Sequence, residues 1–520
     1  GLRVILDVAV NHLCDPQTTY RRRPQHRSCA DALAARSWRG DRSEDSAQGE
    51  LSFGPAFFPP LRSQHFFNRC GANVWDETAG AGAAAVYGDF VATMLDFDTR
   101  NRDFQGIFID LYKYWLAYAD VDGFRMDAAK HVTEDFVARF STELRAHAQA
   151  LGKDNLFIVG EVAADADWIG RRLGTMFSNP HNPDQHGDVP RSLTDMLWRL
   201  RDTYLQHPAA PYPGLNGAYD FFVSHTLRDV LLNRQPSASL EHSMGSAYAR
   251  TLAAQNDSHL NWLHLEIHDW SRFASEARHD PWKSQLAVAA LAVAPAIPVL
   301  YYGIEQGFNG DCHWDRMAVG AATDAIRRRC GTEDHTLNRQ DMFVSGPWRL
   351  GSTVADIDDL AGIGVPAPRF AGAWDADPML RRDHGVYQTA RRFNRLRRTC
   401  APLARGATYF RWVDAAADGV WAFSRIHGGV EVLVVVNTAA AARPVPPLLV
   451  DANLNSVAGA PYRNLLHPTA TAVVRRQGPL SLLEMAAPIQ GNSIQVFVPA
   501  LHAAPFDPAL GAAPCKNSAP

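Results

Sequence analysis

The stretch VDGFRMDAAKHV, residues 121–132, reads as a buried strand that stops on charge. Val121, Phe124 and Met126 suit an interior strand, yet Arg125 and Asp127 stand two apart, so alternation sends both side chains to one side. A core strand that aims a cation and an anion at one point is building a polar site at its own end. Four further apolar runs are of the same kind, most of them ending on a polar or acidic residue: LRVILDVAVNH (2–12), LFIVGE (156–161), LNWLHLEIHD (260–269) and IPVLYYG (297–303).

Helix-like stretches such as TEDFVARFSTELRAHAQAL (133–151) lie between these runs. Continuous hydrophobic strands alternating with helices predict a parallel sheet covered on both faces. Polar residues gathered at the C-terminal strand ends predict a (β/α)8 barrel, whose active site occupies that face. A doubly wound open sheet would place a Gly-rich turn after the first strand, where this chain has VNHLCDP. With YDFF (219–222) as a weaker candidate, six strands are visible where the barrel needs eight. The expectation is therefore that two strands and their helices precede Gly1, and that the chain without them is poorly soluble and inactive. The predicted organisation is a catalytic barrel over 1–405, incomplete at its N-terminus, with a loop domain inserted after the third strand at about 13–95. An all-β sandwich follows over 406–510, anticipated from the hairpin pattern GVWAFSRIHGGVEVLVVVNTA, and then a flexible tail over 511–520.

Composition narrows the partners. The 520 residues are 46% hydrophobic with a formal charge of −4, enough for a large core plus accessory domains. Basic residues form no long run, which argues against a nucleic-acid partner. The longest apolar run, 286–302, is broken by Pro295 and Pro298 and reads as a buried helix, a break and a short strand, so no membrane span is expected. Seven cysteines, an odd number without CxxC spacing, leave at least one free thiol, room for a bridge in a loop region and no zinc site.

The ends of three strands carry Asp127, Glu161 and Asp269, expected to project into one cleft with Arg125 beside Asp127. One charged carboxylate and one proton-bearing carboxyl are what retaining glycoside hydrolysis requires. In order and spacing, DVAVNH (7–12), GFRMDAAKH (123–131), GEV (160–162) and IHD (267–269) resemble the four signature segments of the α-amylase superfamily, glycoside hydrolase family 13.

The resemblance implies a nucleophile at Asp127, a general acid/base at Glu161 and a third carboxylate, Asp269, that grips the sugar hydroxyls. It also implies sugar contacts from His12, Arg125, Lys130, His131 and His268. A structural Ca²⁺ is implied on Asn11, Asp96 and the carbonyl of His131, an oxygen-only set that suits a hard cation. Ile267 stands where the family usually has Asn, so chloride activation is not expected. Phe343 and Trp348, in a long insertion, are candidates for stacking on sugar rings.

The implied function is retaining hydrolysis of α-1,4-glucosidic bonds in an α-glucan, by a monomer when complete. Two rivals stand beside it: an α-glucan transglycosylase, or the amylase-like part of an α-glucan synthase, and a non-catalytic carbohydrate-binding barrel. The compartment is not readable from these residues; the resemblance favours an extracellular one.

Overall fold

The computed structural model describes residues 2–14, 59–61, 66–68, 82–90, 94–173, 214–253, 256–308, 338–339, 342, 381–467, 469–503 and 515. Phe343, Trp348, most of the expected insertion at 13–95 and the 511–520 tail apart from Cys515 lie outside them. The chain forms two compact units, Gly1–Phe222 with Ser246–Trp262, and Val223–Gly245 with Leu263–Pro520.

The first unit carries β1 (Ile5–Ala9), β2 (His12–Cys14), β3 (Met94–Asp96), β4 (Gly123–Asp127), β5 (Phe157–Val162), β6 (Gly217–Asp220) and the first residue of β7 (Trp262–His264). β4 pairs in parallel with β1 on one side and β5 on the other, β5 continues to β6, and Tyr219 of β6 reaches Trp262. β2 and β3 form a separate antiparallel pair. In β4 the alternation holds as expected: Phe124 and Met126 are buried in the core, while Arg125 and Asp127 are partly open on the other side. The helix Arg102–Ala119 starts on Asn101, whose side chain accepts from the Asp103 and Phe104 amides, and stops where Asp120 turns left-handed. The helix Glu134–Ala150 starts on Thr133, which accepts from the Phe136 amide. Phe104 and Phe108 of the first meet Phe136 and Phe140 of the second in a ring cluster that joins the core under the sheet.

Close approach of the strands is bought at Gly123. A Cβ there would stand 2.2 Å from the Phe157 carbonyl oxygen, a backbone atom of β5 that cannot step aside without breaking register. Gly123→Ala is expected to destabilise at the upper end of the roughly 1–3 kcal/mol that over-packing costs, read as a lower midpoint in urea unfolding; an unchanged midpoint would mean the two strands can separate freely.

The second unit holds the rest of β7, β8 (Ile297–Val299) and the eight strands β9 (Ala407–Val413), β10 (Val420–His427), β11 (Val430–Asn437), β12 (Leu448–Val450), β13 (Pro461–Asn464), β14 (Thr471–Gln477), β15 (Leu480–Met485) and β16 (Ser493–Pro499). The order β1-β4-β5-β6-β7-β8 is the parallel sheet of a (β/α)8-barrel fold. The apolar run divides as read: the helix Pro281–Val293, capped by Asp280, a break, then β8. Among the described residues no helix is long and apolar enough to cross a membrane.

The strands β9–β16 make one antiparallel sheet in the order β12-β15-β14-β13-β16-β11-β10-β9, which curls until β12 approaches β9, barrel-like, around a core that includes Leu433, Val435, Tyr462 and Phe497. The HGG turn between β10 and β11 uses Gly428 and Gly429 at φ 55° and 75°, the left-handed pair a tight hairpin needs. Arg397 and Arg425 cap the Pro281–Val293 helix by donating to the carbonyls of Ala292, Val293, Ala294 and Ala296 at 2.6–3.2 Å. Cys400 and Cys515 form a disulfide, the bridge that the odd cysteine count allowed.

Candidate active site

Arg125 sits in the middle of a carboxylate cluster. Its Nη1 is 2.5 Å from Asp127 Oδ1 and 2.9 and 3.0 Å from the two oxygens of Asp7, and its Nη2 is 2.9 Å from Glu161 Oε2. The cause is register: Asp7 of β1 lies directly beside Arg125 of β4, and Glu161 stands at the end of the next strand. The Tyr219 ring from β6 lies under the guanidinium at 5.6 Å, and burial pushes its phenol up to about 12. One cation among three carboxyls cannot satisfy three full charges. Glu161 is pushed up to about 7, chiefly by burial; Arg125 opposes the shift and the neighbouring Asp127 adds to it. Both Asp127 and Glu161 are ion-paired to Arg125, and Glu161 is the one whose carboxyl burial raises.

His12 lies parallel to the Phe90 ring at 4.5 Å, and burial lowers its pKa, with the Asp127 charge acting the other way. Its Nδ1 is buried without a hydrogen-bond partner among the described residues. Lys130 and His131 turn inward: both are 2% exposed, Lys130 Nζ donating to the Ala163 carbonyl at 3.1 Å and His131 Nδ1 lying 2.5 Å from the Ala85 carbonyl. Burial holds the His131 imidazole neutral, with its pKa near 3. As placed, these two side chains brace the turn after β4 rather than open onto a cleft. Asp269 and His268 belong to the second unit, beyond the end of β7. There the His268 Nε2 is 3.0 Å and the Arg339 Nη2 3.2 Å from the Asp269 carboxylate.

Three participants escaped the sequence reading: Asp7, Tyr219 and the backbone amide of Ala128, which donates to Glu161 Oε2 at 3.1 Å. Asp7 had no usable signal, because its place beside Arg125 depends on the register of two strands 118 residues apart. The amide had none, because it depends on a turn conformation.

The residues expected to hold a cation also come together. Asn11 Nδ2 is 2.5 Å from Asp96 Oδ1 and 3.0 Å from the His131 carbonyl oxygen. Asn11 Oδ1 is buried without a partner among the described residues. Turning the amide over, which leaves its shape unchanged, would direct that orphaned oxygen to the same point as the Asp96 carboxylate and the carbonyl. Burial raises the Asp96 carboxyl well above its usual range and pushes nearby Asp89 up to about 7, a strain that a divalent cation would relieve. The donor set fits a hard cation. Among the described residues no group of three or more His, Cys, Asp or Glu side chains is placed to hold a metal ion.

A family model described as "Alpha amylase, catalytic domain" matches residues 1–172, the part of the chain that carries Asp7, Asn11, Arg125, Asp127 and Glu161. Residues 1–172 are thus similar to the α-amylase catalytic domain. An α-amylase of Streptomyces lividans is 25% identical over 390 residues, 73% of this chain and 34% of that protein. The intracellular maltogenic amylase of Bacillus subtilis is 24% identical over 254 residues, 49% of this chain and likewise 34% of that protein. The chain thus spans about a third of the length of these relatives. The cell wall alpha-1,3-glucan synthase mok12 of Schizosaccharomyces pombe is 45% identical over 237 residues, 40% of this chain and 9% of that protein. Among solved structures, an α-amylase from Malbranchea cinnamomea matches with a TM-score of 0.54 at 16% identity, covering 96% of this chain and 74% of that one. That likeness shows the fold alone.

Proposed function

We propose that the chain carries a retaining α-glucan-active site, with Asp127 as nucleophile and Glu161 as general acid/base, and Asp269 as the third carboxylate. The observation that carries this reading is the Asp127–Arg125–Glu161 cluster, in which the cation bridges both carboxyls and burial raises the Glu161 carboxyl to about 7. In the first step the Asp127 carboxylate attacks the anomeric carbon while Glu161 gives its proton to the departing oxygen; in the second, Glu161 takes a proton from the incoming hydroxyl, which displaces Asp127. The overall reaction keeps the α configuration.

Hydrolysis of α-1,4-linked glucan is the default, because water is the simplest acceptor. The relatives named as amylases support it. Transfer to a sugar hydroxyl is the second reading, and the specific observation favouring it is the 45% identity to a glucan synthase. Incubation with maltooligosaccharides separates them: shorter products only support hydrolysis, longer products support transfer, and tight binding without any turnover would overturn both.

The same reading assigns Ca²⁺ to Asn11, Asp96 and the His131 carbonyl as a structural ion that ties the β2–β3 pair to the turn after β4. A ligand bound only by the native state stabilises it by mass action, about 2.7 kcal/mol at a hundredfold excess over Kd. A chelator is expected to lower the melting temperature, added Ca²⁺ to restore it, and Asp96→Ala to melt at one temperature with or without chelator. A wild type indifferent to prolonged chelation would leave Asn11 and Asp96 as hydrogen-bonding residues only.

A further inference from the structure

The turn that follows Asp127 is held in a conformation its residues do not favour. Ala128 has φ 49° and ψ 34°, the left-handed region that is unfavourable for a non-glycine residue, and such a residue persists only where its surroundings over-determine it. Two constraints are visible. Ala129 packs over the bare Cα of Gly160, where an added Cβ would come within 2.9 Å of the Ala129 methyl. The stronger constraint is Arg172, 1% exposed, from the helix Ala166–Arg172. Its Nε donates to the Ala129 carbonyl at 2.9 Å, and its Nη2 donates to the Lys130 carbonyl at 3.0 Å and the Val132 carbonyl at 2.9 Å. Its Nη1 is anchored by buried Glu134 at 3.1 Å, and Trp168 lies 5.6 Å from the guanidinium. A guanidinium is suited to this work because its planar fork gathers several acceptors at once, which an ammonium cannot copy.

The consequence reaches Glu161. With Ala128 left-handed, its N–H points at Glu161 Oε2, the oxygen that also receives Arg125 Nη2. Two donors on Oε2 leave Oε1 as the oxygen that can carry the proton. We propose that Arg172 is a positioning residue for the acid/base: by clamping the carbonyls of Ala129, Lys130 and Val132 it keeps the Ala128 N–H on Oε2, and so assigns the transferable proton of Glu161 to Oε1. The clamp matters most once Glu161 has given up its proton, because the amide then stabilises the carboxylate that remains. The inference rests on the acid/base reading of Glu161.

The test compares wild type, Arg172→Lys, Arg172→Lys with Ala128→Gly, and Glu161→Gln on maltooligosaccharides and on α-glucosyl fluoride across pH. Fluoride departs with little help from an acid, so an acid-positioning residue should matter less there. Arg172→Lys is expected to lower kcat on maltooligosaccharides about tenfold with KM nearly unchanged, and to affect the fluoride little. The basic limb of its pH profile should move up by roughly half to one pH unit, since losing a donor to the anion raises the pKa. Glycine at 128 adopts the left-handed geometry without a clamp, so the double variant should recover both the rate and the profile. Equal losses on both substrates with an unmoved limb, or no recovery in the double variant, would overturn the role of Arg172. A basic limb that persists in Glu161→Gln would instead overturn the acid/base assignment and this inference with it. Should Arg172→Lys fail to fold, Glu134→Gln, which frees the guanidinium from its anchor, carries the same expectation in smaller size; an unmoved limb there overturns the proposal.

Discussion

Glu161→Gln is expected to lower turnover of maltooligosaccharides by about a thousandfold or more while leaving binding nearly unchanged, because glutamine keeps the shape and the Arg125 and Ala128 contacts but has no proton to give. Asp127→Asn should cost at least as much. The two are told apart by leaving group: α-glucosyl fluoride needs little acid assistance, so Glu161→Gln should still form the glycosyl-enzyme from it, whereas Asp127→Asn should not. The sign of the pH dependence follows from the raised carboxyl. Glu161 acts while protonated, so the wild-type rate should fall as pH rises through about 7, and the residual activity of Glu161→Gln should lack that limb. Turnover by Glu161→Gln at the wild-type rate would remove Glu161 from the chemistry.

Arg125→Met is expected to be the most damaging change to the cluster's stability. It leaves Asp7, Asp127 and Glu161 without the cation that bridges them. Removing one partner of a buried pair typically costs about 3–5 kcal/mol, and the largely exposed Asp7 should add nothing to that sum. Without the guanidinium, the buried Glu161 carboxyl keeps its proton to higher pH in the folded state than in the unfolded chain. Between those pKa values the folded state holds more protons, so stability must fall as pH rises. The variant should therefore approach the wild type at pH 5 and fall furthest behind it at pH 8, which thermal unfolding at the two pH values would show. A pH-independent loss would mean that Arg125 serves packing alone.

Much of the fold was open to reading because it depends on short-range pattern. Alternation in residues 123–127, the helix after Thr133 and the Pro-broken run at 286–302 each follow from local sterics and hydrophobic period. The pairing of Arg125 with Asp127 was equally legible, since two residues apart on one strand must share a side. Lys130 and His131 were harder: nothing in AAKH says that a three-residue turn folds both side chains inward onto the carbonyls of Ala163 and Ala85.

By itself, then, the sequence determined the apolar runs that become the parallel strands, the acids at the ends of β4 and β5, and that a base stands beside the acid of β4. Those features need only the chain's own stereochemistry and the removal of apolar side chains from water. The tertiary structure alone decided that Asp7 shares Arg125, that Tyr219 lies beneath it, and that the Ala128 amide reaches Glu161. Each depends on parallel register or on a strained turn held by Arg172, and the forces that set them act between residues 33 to 118 positions apart, where no local period carries the information.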